Sequence, residues 1–176
     1  MAPAHLGTVR VVVHEKRRED VMAEISVVVF KVGSSAFAAD IANVEGIVTK
    51  GKVTRLPQMP DYVEGVMNLR GEVLPLINLK KKLNLELQDV ENPGEKVMVA
   101  HIGERKYGLV IDEVESVSRF QETNLDSVPE SLASDKANYL AGIIKENDRF
   151  IILLDLEKLL TTQEKVDIGG MLEQLS

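Results

Sequence analysis

The segment Gly46-Ile47-Val48-Thr49-Lys50-Gly51-Lys52-Val53 has the glycine and lysine spacing of a phosphate-binding loop, G-x-x-x-x-G-K, and then departs from it. Val53 stands where the Mg²⁺-ligating hydroxyl belongs, and Thr54 comes one place late. The motif also needs a following helix whose first amides point at the phosphate. Val53, Pro57 and Pro60 predict strand and loop instead, so the segment reads as a hairpin turn with two solvated lysines. His101 is the one histidine beyond the first 21 residues. It lies between Ala100 and Ile102 in a predicted strand, with no serine–aspartate partner motif, and reads as structural. Neither H-E-x-x-H nor G-x-S-x-G occurs. Asp112, Glu113 and Glu115 concentrate carboxylates that acid–base or metal chemistry would use. On an extended strand, however, Glu113 and Glu115 face one way and Asp112 the other, so a solvated acidic strand is expected. Lys80-Lys81-Lys82 suits a helix C-terminus and reads as a solvated face. No catalytic residue, metal site or cofactor site is expected.

The elements that position these residues repeat. Val27-Val28-Val29-Phe30 is a strand, Gly33-Ser34-Ser35 a turn and Ala36–Ile41 the return strand. Val97–Ala100, Gly103-Glu104-Arg105 and Lys106–Ile111 restate that pattern. An offset of 70 carries Gly33 to Gly103, Phe37 to Tyr107, Ile41 to Ile111, Val44 to Val114 and Ile47 to Val117. A second block repeats at an offset of 77, carrying Tyr62 to Tyr139, Gly65 to Gly142, Leu74 to Ile151, Leu79 to Leu156 and Leu83 to Leu160. This is one β-rich unit duplicated, roughly residues 25–90 and 95–160, with two copies too few for a solenoid.

Within each unit the spacing of Ile41, Val44 and Ile47 breaks strand alternation and predicts a bulge or a short helical turn. Leu56–Pro60 is a loop, and Glu91-Asn92-Pro93-Gly94 marks the turn between units. Asp155 caps a helix with Leu156, Leu159 and Leu160 on its apolar face. Many short strands with regular turns predict closed barrels, here two small ones sharing an interface.

Composition narrows the function classes. The chain has 176 residues, 44% of them hydrophobic, and a net charge of −7. That length buries a real core. The absence of cysteine excludes disulfides, thiolate metal sites and cysteine nucleophiles. The acidic balance argues against nonspecific nucleic-acid binding. The longest apolar runs, such as Phe150–Leu154, fall far short of the ~20 residues of a spanning helix, so a soluble protein is expected. Residues 1–21 lack clean periodicity. Lys16-Arg17-Arg18 can be encoded by AAA AGG AGG, a bacterial ribosome-binding sequence, and Met22 follows after three more residues. Met22 as the true start, with residues 1–21 a translated leader, and a flexible native arm are both open readings.

One stretch differs between the copies. Gly65-Val66-Met67-Asn68-Leu69-Arg70-Gly71-Glu72-Val73-Leu74-Pro75-Leu76 keeps its apolar strands in the second copy, but Asn68-Leu69-Arg70-Gly71 becomes Lys145-Glu146-Asn147-Asp148. A residue needed only for the shared fold would tend to appear twice, and Arg70 does not. A surface turn arginine and a charged contact are its two readings.

The Gly-Val-x-Asn-Leu-Arg-Gly-x-x-x-Pro run, with Val28–Phe30, Phe37–Ile41, Val53–Pro57, Gly108–Val114 and Tyr139–Leu160, resembles the CheW family of bacterial chemotaxis adaptors over roughly Glu24 to Leu160. The resemblance implies a mainly β fold of two small five-stranded, SH3-like barrels with short helices, spanning 22–160, and a C-terminal tail, 161–176. It implies a non-enzymatic adaptor without cofactor. Its partners would be the regulatory domain of the histidine kinase CheA and the cytoplasmic tips of methyl-accepting chemoreceptors. The protein would lie in the cytoplasm at receptor arrays on the inner face of the membrane.

By the same resemblance the kinase- and receptor-binding set is Val44, Glu45, Gly46, Ile47, Asn68, Arg70, Gly71, Val97 and Gly108. Arg70 matches an arginine implicated in both contacts. Val44 matches a binding position of the first barrel, and Val97 and Gly108 match receptor-contact positions of the second. Many family members carry a glutamate at the place of Gly46, poised to pair with the arginine. Here Glu45 takes that role through a shifted turn, or Arg70 pairs elsewhere. Val44 and Ile47, ringed by Glu45, Lys50, Lys52 and Arg70, would form an apolar centre with a charged rim. The alternatives are a CheW-like module of a larger chemotaxis protein and a small-ligand barrel using Lys52 or the 112–115 carboxylates.

Overall fold

The computed structural model describes residues 24–85, 96–129 and 138–175. Residues 1–21 and the Glu91–Gly94 turn lie outside these. Among the described residues the strands are β1 (Glu24–Val32), β2 (Ser35–Asp40), β3 (Val44–Thr49), β4 (Val63–Leu69), β5 (Glu72–Asn78), β6 (Lys96–Ile102), β7 (Arg105–Ile111), β8 (Glu113–Gln121), β9 (Leu125–Asp126), β10 (Leu140–Glu146) and β11 (Arg149–Leu154). The helices are α1 (Leu79–Lys82) and α2 (Thr162–Glu173), with single 3-10 turns at Ile41–Asn43, Glu122–Asn124 and Leu156–Lys158.

The strands form two sheets, ordered β8-β1-β2-β11-β10-β9 and β3-β6-β7-β5-β4. Neither sheet follows the sequence halves. The hairpin β1–β2 lies beside β10–β11 of the second unit through the parallel pair β2–β11, and β6–β7 lies beside β4–β5 through the parallel pair β5–β7. Each sheet therefore takes one hairpin from each unit and adds a further strand, β3 in the five-stranded sheet and β8 with its continuation β9 in the six-stranded one.

Both sheets curl into barrels by the same device. β8 pairs with β1, bends through Glu122–Asn124, and its continuation β9 pairs with β10 at Asp126↔Ile143 and Leu125↔Ile144. In the other sheet β3 pairs with β6, and the chain returns at Thr54 to bond Val66 of β4 in both directions, at 2.9 and 2.8 Å. Val66 and Ile143 are repeat equivalents at the offset of 77. Beside each closure is a repeat glycine where the backbones approach. A Cβ on Gly65, whose φ is +143°, would lie 2.3 Å from the Thr54 oxygen.

Burial follows strand alternation. Ile25, Val27, Val29, Ala38, Ile144, Ile151 and Leu153 fill the six-stranded barrel. Met67, Leu74, Leu76, Val97, Val99 and Val110 fill the five-stranded one. The opposite faces of the same strands supply a larger core between the barrels, including Phe30, Phe37, Met98, Tyr107, Leu109 and Leu154. Phe30 and Phe37 stack there at 6.1 Å.

The chain crosses between barrels beside two glycine turns, and a carboxylate holds each turn. Asp112, between β7 and β8, accepts the Gly33 amide and lies 3.7 Å from the Lys80 ammonium. Glu157 accepts the Gly103 amide at 2.9 Å and the Asn43 side-chain amide at 2.9 Å. Asp112 is thus a structural clamp rather than part of a solvated acidic strand. The lysine run is tied down as well: Lys80 to Asp112, Lys81 to Asp61 and Lys82 to Glu164.

Around Ile41, Val44 and Ile47 both expected irregularities occur, a 3-10 turn over Ile41–Asn43 and a bulge between Val44 and Gly46. Leu56–Pro60 is a loop. Asp155 caps only the 3-10 turn Leu156–Lys158, accepting from the Glu157 amide; the helix proper starts later. Thr161 and Glu164 form a reciprocal capping box for α2, which buries Ile168 and Leu172 in the central core. The tail from Thr161 therefore belongs to the body.

Candidate functional site

Two features meet at one end of the five-stranded barrel: its mouth and the tip of the β4–β5 hairpin. On β6 the inward positions Val97 and Val99 are followed by His101. On β5 Leu76 and Leu74 are preceded by Glu72, and on β7 Gly108 is preceded by Lys106. These polar side chains therefore cap the interior where it opens. Glu45 joins them because β3 bulges: Val44 faces Ala100 and Gly46 faces Val99, leaving Glu45 as the extra residue. The result is a band across four adjacent strands. Glu45 lies 2.9 Å from His101 Nε2 and 3.3 Å from Lys106 Nζ, and Lys106 lies 3.5 Å from Glu72. The Lys106 hydrogen bond, with a smaller contribution from His101, holds the Glu45 carboxyl below the usual carboxylate range. Glu45 does not reach Arg70, and the place of the usual family glutamate, Gly46, carries no side chain. His101 is structural in the sense that it completes this band.

The other mouth is built alike. β8 bulges at Glu115, the repeat equivalent of Glu45 at the offset of 70, between Val114 and Ser116. Arg149 meets Glu115 with two bonds of 2.7 and 3.1 Å and holds its carboxyl low. These corks make stability pH-dependent. A carboxylate whose pKa is lowered by folding stabilises fully above its unfolded value and loses that contribution as pH falls through the lowered one. Between pH 7 and about pH 3, the wild-type melting temperature is expected to fall more steeply than that of a Glu45→Gln/Glu115→Gln chain. Parallel curves would remove the corks from the stability of the fold.

At the hairpin tip, Leu69 pairs with Glu72 across the two-residue turn Arg70-Gly71, with φ of +52° and +87°. Positive φ at both central positions is the mirror-type turn that matches strand twist. Gly71 takes it without strain, and Asn68 braces it by accepting the Gly71 amide at 3.1 Å. Arg70 is unusual in this conformation. Its counterpart in the other barrel, Asn147 at φ +55°, is a residue type that tolerates it. Arg70 is exposed, and among the described residues no ion pair holds it.

The remaining expected positions divide into surface and wall. Val44 is half-buried against the central core. Ile47 is 39% exposed on the outer face of β3. Val97 is fully buried. A Cβ on Gly108 would lie 2.6 Å from both Leu76 and Val97 side chains, so Gly108 is where the barrel wall packs closest. Val97 and Gly108 present no side chain to a partner. All nine residues lie on or beside the five-stranded sheet, so Val44 shares a barrel with Val97 and Gly108. Lys50 is bound to Glu64 at 3.1 Å, whereas Lys52 is exposed and makes no ion pair among the described residues.

The outer faces carry a matched set of apolar residues, of which the sequence singles out only Ile47. Ile47 and Val73 (47% exposed) on one barrel correspond to Val117 (63%) and Phe150 (65%) on the other. The offsets of 70 and 77 already aligned these positions, but exposure was not legible from them.

Comparison with known proteins bears on this arrangement. The family model for the CheW-like domain matches residues 26–164. The chemotaxis protein CheW of Helicobacter pylori is 36% identical over 144 residues, covering 82% of this chain and 86% of that protein. The chemotaxis protein CheW of Treponema pallidum is 30% identical over 151 residues, covering 84% and 89%. The crystal structure of the scaffolding protein TtCheW from Thermoanaerobacter tengcongensis superposes with a TM-score of 0.70 at 28% identity, covering 80% of this chain and 94% of that one.

Proposed function

This chain belongs to the CheW-like domain family, and on that premise we propose that it is a non-enzymatic adaptor that couples chemoreceptor tips to the regulatory domain of the histidine kinase CheA. It would do so in the cytoplasm, in arrays beneath the membrane. The observation that carries this reading is Arg70. A left-handed conformation at a non-glycine residue costs on the order of 1 kcal/mol, and here it is spent on an exposed guanidinium that makes no ion pair within the described fold. The equivalent turn does the same structural work with Asn147. A cation kept at that place despite the strain serves something outside the described fold.

Asn68 and Gly71 shape the tip, Ile47 and Val44 supply apolar surface beside it, and Glu45 and Gly46 set the bulge. Val97 and Gly108 act through the wall behind. Val44→Asp would disturb the central core, so Ile47→Asp is the cleaner apolar probe.

The deciding experiment is calorimetric titration against the kinase regulatory domain and a receptor-tip fragment. Arg70→Asn is expected to raise the Kd about tenfold or more, as hot-spot arginines do. It should leave the melting temperature unchanged or higher, because asparagine fits the turn. Equal affinities would remove Arg70 from the site. A folded wild-type chain that binds neither partner would overturn the adaptor reading.

A further inference from the structure

The two mouths neutralise the same bulge glutamate with cations from different strands. In the six-stranded barrel Glu115 meets Arg149 on β11. In the five-stranded barrel the equivalent of Arg149, at the offset of 77, is Glu72, so a carboxylate stands where the guanidinium would be. Unaided, that mouth would set Glu45 and Glu72 against each other. The cation comes instead from Lys106 on β7, whose equivalent at the offset of 70 is Ala36. Lys106 lies 3.3 Å from Glu45 and 3.5 Å from Glu72 and spans from β3 to β5. Glu72 is the first residue after the Arg70-Gly71 turn and pairs directly with Leu69. Tethering Glu72 therefore restrains one side of the tip, while Asn68 braces the other.

The geometry points to Lys106 as a positioning residue for Arg70: by bridging Glu72 to Glu45 it fixes the β4–β5 tip, and so sets the direction of a guanidinium whose partner Lys106 never touches. This rests on the adaptor reading of Arg70 and extends it to the residue that aims it.

The test compares Lys106→Ala, Arg70→Asn, their double variant, and Lys106→Ala/Glu72→Arg, which copies the charge arrangement of the other mouth. Amide hydrogen exchange over residues 68–74 reads the tip, and titration against the kinase regulatory domain and the receptor-tip fragment reads its consequence. Lys106→Ala is expected to speed exchange at the tip and weaken binding about two- to fivefold, the range of exposed ion pairs. It should weaken binding no further in the Arg70→Asn background, and Glu72→Arg should restore both readouts. Unchanged exchange at the tip overturns the proposal. So does an equal loss of affinity with and without Arg70, which would make Lys106 an independent contact. If the wild-type chain binds neither partner, the adaptor reading fails, and the exchange comparison alone decides whether Lys106 holds the tip.

Discussion

Gly65→Ala is expected to prevent the five-stranded barrel from closing. A Cβ there would lie 2.3 Å from the Thr54 oxygen and 2.9 Å from the Thr54 carbonyl carbon. Those are backbone atoms, and the oxygen is engaged in the closing bond from the Val66 amide at 2.8 Å. Relief would break the bridge that joins the chain after β3 to β4. The φ of +143° adds strain for any L side chain. Close backbone overlap with loss of a closing bond belongs among the rare substitutions costing more than about 4 kcal/mol, a large part of a domain's stability. Gly142→Ala is the internal control. Its nearest neighbour is the Leu125 side chain at 2.7 Å, which can turn away, and the Asp126 oxygen stands off at 3.1 Å. Thermal unfolding should therefore rank Gly65→Ala far below Gly142→Ala. A Gly65→Ala chain melting within a few degrees of wild type would refute the closure.

The second large effect concerns the chain end. Removing residues 161–176 strips Ile168 and Leu172 from the central core, along with the Lys82–Glu164 ion pair at 2.9 Å. Two buried aliphatic side chains at roughly 1.5–3 kcal/mol each predict a loss of about 3–6 kcal/mol. Gly169-Gly170 disfavours the helix by about 1 kcal/mol per glycine and offsets part of this loss, so α2 is held by packing and not by propensity. Gly169 has a packing reason: a Cβ there would sit 3.2 Å from the Arg105 guanidinium. Ile168→Ala, costing about 2–5 kcal/mol, separates lost packing from lost length. Urea unfolding of both chains is the measurement, and a truncated chain with the wild-type midpoint would place α2 outside the core.

What the sequence made legible was local. The turns at Gly33 and Gly103, the duplicated unit, the mainly β barrels and the irregularity after Ile41 all follow from residue spacing. The exchange of hairpins did not, because an offset reports equivalence and not adjacency. Nothing in Phe37 or Ile152 announces that they pair in a parallel ladder. Whether Glu45 meets Arg70 stays open in the sequence, because only the bulge decides it: it turns Glu45 into the mouth, toward His101 and Lys106. The α2 helix is not evident although Thr161-Thr162-Gln163-Glu164 has a capping-box spacing, because two glycines and a low apolar contrast hide it. Val97 and Gly108 show the converse: family resemblance marks a position without saying whether it is surface or wall.

The crossing of the two halves also governs how this chain is made. When the first ninety or so residues leave the ribosome they hold two hairpins destined for different barrels, and neither barrel has its neighbours. β1–β2 must wait for β11, the last strand, and β4–β5 must wait for β7. Pairings so distant in sequence are slow, because chain entropy is lost before their contacts form. Apolar strand faces stay uncovered meanwhile, open to aggregation. The barrels are finished in turn: β3 to β7 are all present once Ile111 has emerged, whereas the six-stranded barrel brackets them in sequence and closes only after β11, so β1–β2 is the hairpin left waiting longest.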